Sequence, residues 1–122
     1  MTARAGRMLV FGLAAMAIWQ AGEAAYIHAK AWFAQRLIAS AWSRSLASGV
    51  AAKPWPWADT YPVARLEAPR QRQTLMVLAG SSGRTLAFGP GHVDGTPLPG
   101  NTGNAVVSGH RDTHFAFLRD LR

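Results

Sequence analysis

The first pattern along the chain is an uninterrupted apolar run of twelve residues, Met8 to Trp19, with Arg4 and Arg7 before it. By itself the run has the length of the apolar region of a cleaved signal peptide. Extended to about residue 27, it reaches the roughly 20 residues that a membrane span requires. Basic residues before a span favour a cytoplasmic N-terminus. We therefore expect residues 1–28 to be a retained signal anchor, with the following residues on the opposite side of the membrane.

A second pattern, from Ala29 to Leu46, repeats apolar residues at the spacing of one helix face. The residues on this face are Phe33, Leu37, Ile38, Trp42 and Leu46. An aromatic-rich, basic helix of this kind suits a membrane interface. An ordinary helix that covers the core of a domain has the same pattern, and the sequence leaves both interpretations open. We expect an amphipathic helix over residues 29–48 that ends at Ser48-Gly49.

Prolines at alternate positions mark the next segment, residues 49–60, which contains Lys53-Pro54-Trp55-Pro56-Trp57. This spacing forbids a helix and favours an extended chain. The segment is either a rigid linker or a strap whose tryptophans pack on the following domain. A polyproline ligand is a weaker alternative, because the pattern is short and is not P-x-x-P.

From residue 61 to residue 122 the pattern changes to that of β-strands and loops. Tyr61 to Glu67 alternates between polar and apolar residues, and Thr74 to Leu78 is a short apolar run. Residues 89–103 are rich in glycine and proline, which predicts a loop. Asn104 to Ser108 reads as a buried strand, and Thr113 to Arg122 as a helix or a long loop.

Composition removes several classes of function. The net charge of +7 raises the possibility of nucleic-acid binding. The basic residues are spread along the chain, however, with no run of like charges, so we expect no nucleic-acid partner. The chain has no cysteine, which excludes disulfides, thiolate metal sites and a cysteine nucleophile within these 122 residues.

His110 is the first candidate for chemistry, because it follows the strand Asn104–Ser108 after one glycine. A histidine at a strand end is well placed for acid–base work, although a lone histidine in this position is more often structural. A His/Asp metallohydrolase is a remote alternative. Its ligands would come from His92, Asp94, His110, Asp112 and His114. Because Arg111, a cation, follows His110, we expect neither a metal nor another cofactor.

Three motifs around His110 resemble the central part of sortases. Leu86–His92 holds a G-P-G-H turn, Gly95–Gly100 a P-x-P-G loop, and Gly103–Arg111 the sequence G-N-x-V-x-x-G-H-R. Their fixed spacings are far more specific than one histidine. The segment Lys53–Thr60 and the aromatic helix before it are similar to the Gram-negative branch of the family, class GN.

The resemblance implies a mainly β chain with a partial sortase-type β-barrel after the two N-terminal helices. It implies an active site of histidine, cysteine and arginine, with His110 as the catalytic histidine and His92 as a non-catalytic one. Such an enzyme cleaves a surface protein at an LPxTG-like C-terminal sorting signal through a thioester, and transfers it to an amine. By analogy we expect a single-pass protein of the inner membrane whose domain faces the periplasm.

The chain departs from this family pattern near its end. The family's cysteine and arginine lie on later strands, whereas this sequence ends twelve residues after His110. Arg111, Arg119 and Arg122 come too early to match that arginine. We therefore expect a chain that is truncated before both residues, with a barrel that cannot close and no activity by itself. A non-catalytic membrane-anchored fragment or pseudo-enzyme is the alternative.

Overall fold

The computed structural model describes residues 3–121 and divides the chain into two compact units, Met1–Phe33 and Ala34–Arg122. Helix α1 covers Ala3–Ser48 and helix α2 covers Gly83–Leu86. The strands are β1 (Pro62–Ala68), β2 (Gln73–Ala79), β3 (Gly91–His92) and β4 (Val107–Ser108). Two short 3₁₀ helices cover Pro69–Gln71 and Ala116–Asp120.

The first unit consists of the N-terminal part of α1, whose side chains from Met8 to Trp19 are all exposed. By length and composition, α1 is the one helix in residues 3–121 that could cross a membrane. Apolar surface of this extent is stable in lipid rather than in water. The structure therefore supports an N-terminal anchor, while its orientation and its boundary at residue 28 stay predictions.

The second unit begins with the C-terminal part of α1, which buries Ala34, Ile38 and Ala41 at helical spacing. Of the predicted face, Ile38 is buried, whereas Phe33 is 58% exposed and Leu46 is 66% exposed, so these two residues do not cover the core. Two of the three buried residues are alanines, whose small side chains let a helix backbone approach its neighbours closely. The helix ends as expected at Ser48, and Gly49 follows with a φ of +70°.

The proline-rich segment packs one of its two tryptophans on the following domain and leaves the other exposed. The Trp55 ring meets the Phe88 ring edge-on, with 5.2 Å between the centroids. The side-chain amide of Gln35, on α1, donates a hydrogen bond of 2.7 Å to the backbone carbonyl of Phe88. Trp57 is 80% exposed. Phe88 is thus held from two sides, by the strap and by the helix.

Strands β1 and β2 form an antiparallel hairpin in which Arg65 pairs with Met76 and Ala68 with Gln73. The sequence predicts both strands to within two residues at each end. The hairpin closes through Pro69–Gln71 and then Arg72, whose φ of 53° lies in the left-handed region. Val77 and Leu78 of β2 are buried and form the core together with Ile38.

The sheet continues from β2 to β3 in parallel and from β3 to β4 in antiparallel pairing, in the order β1-β2-β3-β4. Helix α2 lies in the connection between the two parallel strands, as parallel pairing requires a crossover. Gly91 occupies the centre of this arrangement, paired with Leu78 on one side and Ser108 on the other. This pairing fixes where β4 ends and where the chain enters Gly109 and His110.

The expectation of a mainly β chain is wrong for the part of the chain that the structure describes. Helix α1 has 46 residues, whereas the four strands have 7, 7, 2 and 2. The anchor and the amphipathic segment merge because no proline interrupts them and their many alanines favour a helix. The small mixed sheet is compatible with part of a barrel, and closure of that barrel stays a prediction.

The buried strand predicted over Asn104–Ser108 is also shorter than expected. Val107 and Ser108 pair with β3, one further bond joins the Val93 N–H to the Val106 carbonyl at 2.9 Å, and the Val106 side chain is 45% exposed. The reason lies in β3, because the chain turns at Asp94, soon after this strand ends at His92. A strand cannot extend its ladder beyond its partner.

Candidate functional site

His110 lies two residues after β4, at an end of the sheet, with an exposed side chain. Two backbone N–H groups donate to its carbonyl oxygen, that of Thr113 at 3.3 Å and that of Phe115 at 3.0 Å. These bonds turn the chain back sharply after His110. The backbone of the histidine is therefore fixed, while its imidazole is open to solvent.

Gly109 makes this turn possible. A Cβ atom at Gly109 would lie 2.7 Å from Cδ2 of Phe115, so the aromatic ring packs directly on the glycine backbone. The ring of Phe115 also meets that of Phe117 edge-on at 6.3 Å. The residue before the candidate base is thus a glycine for a steric reason.

His114 lies in the same turn and is half-buried. Burial lowers the pKa of its imidazole below the ordinary value of 6.5, a backbone hydrogen bond at Ala87 raises it, and the nearby His110 lowers it. Burial is the largest of these causes, so the fold favours the neutral form of the His114 ring.

The lowered pKa of His114 predicts a pH-dependent loss of stability. As the pH falls through 6.5, the unfolded chain binds the proton before the folded chain does, so the free energy of unfolding decreases and levels off below the folded-state pKa. We expect His114→Gln to reduce this loss. Urea denaturation of the unmodified protein and of His114→Gln at about pH 7.5 and about pH 5 measures the loss in the free energy of unfolding between these two pH values. Equal losses in both proteins would contradict the assignment.

His92 is buried, with 7% of its surface exposed, and its ring faces its own loop. Nε2 lies 3.0 Å from the Pro97 carbonyl and 3.0 Å from Oγ1 of Thr96. Since a carbonyl only accepts, Nε2 carries the proton. The Thr96 hydroxyl donates to the Val93 carbonyl at 2.8 Å and accepts from the Val106 N–H at 3.2 Å. His92 thus holds the glycine- and proline-rich loop together.

A groove of about 860 Å³ opens beside the His110 turn. It is lined by Gly109, Arg111, Asp112, Phe115, Ala116, Leu118 and Arg119. The lining combines apolar surface with charged groups. Arg111 Nε lies 3.9 Å from the Asp112 carboxylate, and because both side chains are more than 90% exposed, this ion pair contributes little. His110 stands in the chain between two of the lining residues.

Comparison with known families bears on this segment. The family model of the sortase domain matches residues 66–122. This segment belongs to the sortase family. No curated protein and no solved structure matches the chain. The match begins in β1 and includes both His92 and His110, whereas α1 and the strap precede it. The class GN assignment rests on Lys53–Thr60 and the aromatic helix before it, both outside the match, and stays a prediction.

Two arginines of the sortase-family segment lie at the groove, and the structure assigns neither of them a role. Arg111 and Arg119 line the groove, and Arg122 lies outside the described residues. Within residues 3–121 no three His, Asp or Glu side chains come together as a metal site. The metallohydrolase alternative, which needs such a cluster, therefore has no support in this part of the chain.

Sequence reasoning missed Phe115, whose ring covers the Gly109 backbone just before His110. The spacing of Gly109 and Phe115 does not by itself predict this contact, because the contact depends on the turn that the His110 carbonyl makes with the Thr113 and Phe115 N–H groups.

Proposed function

We propose that residues 61–122 are the histidine-bearing part of a sortase-type cysteine transpeptidase that α1 anchors to the inner membrane, facing the periplasm. The observation that carries the proposal is the exposed imidazole of His110, on a backbone fixed by two hydrogen bonds within the sortase-family segment. A general acid or base must combine a fixed position with access to substrate. His92 lacks that access because its ring is buried against residues of its own loop.

The proposed reaction has two halves, in which His110 moves one proton in each direction. A cysteine thiolate attacks the carbonyl carbon of a peptide bond in an LPxTG-like sorting signal, and the C–N bond breaks as His110 protonates the departing amine. An incoming amine then attacks the thioester, gives its proton to His110, and releases the thiolate. An arginine stabilises the negative charge that develops on the carbonyl oxygen. The substrate is a surface protein and the acceptor is an amine.

The nucleophile of this reaction is not among the 122 residues, since the sequence has no cysteine. Residues 1–122 supply the proposed acid–base group and the start of the fold, and a thiol must come from elsewhere in the active species. The same absence favours one second candidate, a membrane-anchored fragment without catalysis. The two differ in whether a supplied cysteine restores the reaction.

We expect a polypeptide in which residues 1–122 are continued by a segment with the family's cysteine and arginine to cleave a quenched LPxTG-like peptide. Mass spectrometry should detect the acyl-enzyme, and an added amine should appear in the product. The 122-residue chain alone should show no adduct, because it has no thiol. Cleavage that survives replacement of the cysteine, or a cysteine that gains no acyl group, contradicts the proposal.

A further inference from the structure

Strand β4 is short, and it follows a long loop. It contains Val107 and Ser108, it begins after the loop of residues 93–106, and its ladder with β3 consists of two residue pairs. So short a ladder specifies the register of a strand weakly, and a slip by one residue moves each side chain to the opposite face. Because His110 lies two residues after β4, its position depends on the contacts that hold this register.

The hydroxyl of Thr96 joins the two ends of this loop. It donates a hydrogen bond of 2.8 Å to the Val93 carbonyl, and it accepts one of 3.2 Å from the Val106 N–H. The Val93 N–H donates to the Val106 carbonyl at 2.9 Å. Val106 directly precedes β4, so both of its backbone polar groups are bonded at the point where the strand begins.

His92, on β3, bonds the same hydroxyl from the other side. Its Nε2 lies 3.0 Å from Thr96 Oγ1 and 3.0 Å from the Pro97 carbonyl, and 7% of the residue is exposed. A threonine hydroxyl offers one donor and two acceptor sites. The Val93 carbonyl, the Val106 N–H and the His92 N–H use all three, so the hydroxyl has one arrangement that satisfies every partner.

We propose that Thr96 is a positioning residue for His110, because its hydroxyl fixes the register of β4 and with it the place of the imidazole beyond the strand. This inference rests on the proposed function, in which His110 is the acid–base group. Errors of about 1 Å in the placement of such a group cost large factors in rate. The bonds of Thr96 limit that error at one end of the short strand, and His110 lies at the other.

The first test measures amide hydrogen exchange in the 122-residue chain in detergent micelles. Thr96→Val keeps the shape of the side chain and loses the hydroxyl, whereas Thr96→Ser keeps the hydroxyl. The matched control is Thr102→Val, which makes the same change at an exposed threonine of the same loop. We expect exchange at Val106 to be about tenfold faster in Thr96→Val and near the unmodified rate in the other two variants. The Leu78 amide, which bonds the Pro90 carbonyl at 2.8 Å, reports whether the sheet is intact.

The second test measures cleavage of an LPxTG-like peptide by the polypeptide in which residues 1–122 are continued by a segment with the family's cysteine and arginine. Thr96→Val should lower kcat about tenfold with KM unchanged, because the loss lies in the placement of His110 and not in substrate binding. Thr96→Ser should restore kcat, and Thr102→Val should leave it unchanged. The rates are compared under conditions in which urea denaturation shows each variant to be fully folded, where a role in stability alone would not lower kcat.

An unchanged rate of exchange at Val106 or an unchanged kcat in Thr96→Val overturns the inference. A Val106 amide that exchanges in the unmodified protein as fast as in an unfolded chain also overturns it, whether or not the variants fold. If His110→Ala is inactive while Thr96→Val behaves as the unmodified protein, only the inference fails. If His110→Ala is fully active, the proposed function itself fails.

Discussion

Gly91→Ala should lower the free energy of unfolding of the second unit by about 3 kcal/mol or more, which is a large part of the stability of a small unit. A Cβ atom at Gly91 would lie 2.1 Å from the backbone oxygen of Gly80 and 3.2 Å from Cδ2 of Leu86. Leu86 can rotate away, but a backbone carbonyl cannot. Relief requires movement of β3, which pairs with both Leu78 and Ser108, so the strain spreads through the sheet.

Gly83→Ala is the matched control for this substitution. Gly83 is the first residue of α2, and a Cβ atom there meets nothing within 4 Å. We expect it to be neutral or to stabilise the protein by a few tenths of a kcal/mol, up to about 1, because alanine favours the helix and restricts the unfolded chain. Urea denaturation followed by the fluorescence of the five tryptophans measures both variants. Equal free energies of unfolding for Gly91→Ala and Gly83→Ala would contradict the close approach of the Gly80 carbonyl to Gly91.

His110→Ala is expected to lower kcat/KM for a sorting-signal peptide by about 10²-fold to 10⁴-fold. The protein to be assayed is the polypeptide in which residues 1–122 are continued by a segment with the family's cysteine and arginine. In the proposed mechanism this ring protonates the leaving amine and takes the proton from the acceptor amine. Stability should change little, because the imidazole is exposed and its backbone bonds do not involve the side chain. Steady-state cleavage of a fluorogenic peptide measures the rate, and the urea midpoint measures the stability.

The control for His110→Ala is His28→Ala, which removes another exposed imidazole, on α1. It should leave kcat/KM unchanged. Added imidazole should partly restore His110→Ala and have no effect on His28→Ala, because a small base can occupy the vacated space beside an exposed backbone. If His110→Ala retained the full rate, His110 would have no role in proton transfer.

Local sequence predicted the parts of the fold in which neighbours along the chain interact. The alternation in Tyr61–Glu67 and the apolar run Thr74–Leu78 predicted β1 and β2, because a hairpin joins strands that are adjacent in sequence. Ser48-Gly49 predicted the end of α1, since a glycine with positive φ terminates a helix at little cost. The position of His110 after a short strand followed from the same local reasoning.

The parts that could not be predicted depend on partners remote in sequence. The aromatic residues of the amphipathic segment suggested a face that includes Phe33 and Leu46, and the structure buries Ala34 and Ala41 instead. Periodicity gives the spacing of a face, but the shape of the opposing surface decides whether bulky or small residues lie against it. The length of β4 was likewise decided by its partner β3.

By itself, the sequence determined an apolar N-terminal helix, a hairpin, the absence of a thiol, and the sortase motifs that lead to His110. Tertiary structure alone decided that His92 is buried while His110 is exposed, although both follow a glycine in similar motifs. It also decided that the Phe115 ring packs on the Gly109 backbone. The physical reason is that exposure and hydrogen bonding depend on which segments the sheet brings together, and pairing between distant segments leaves no mark in the local pattern of residues.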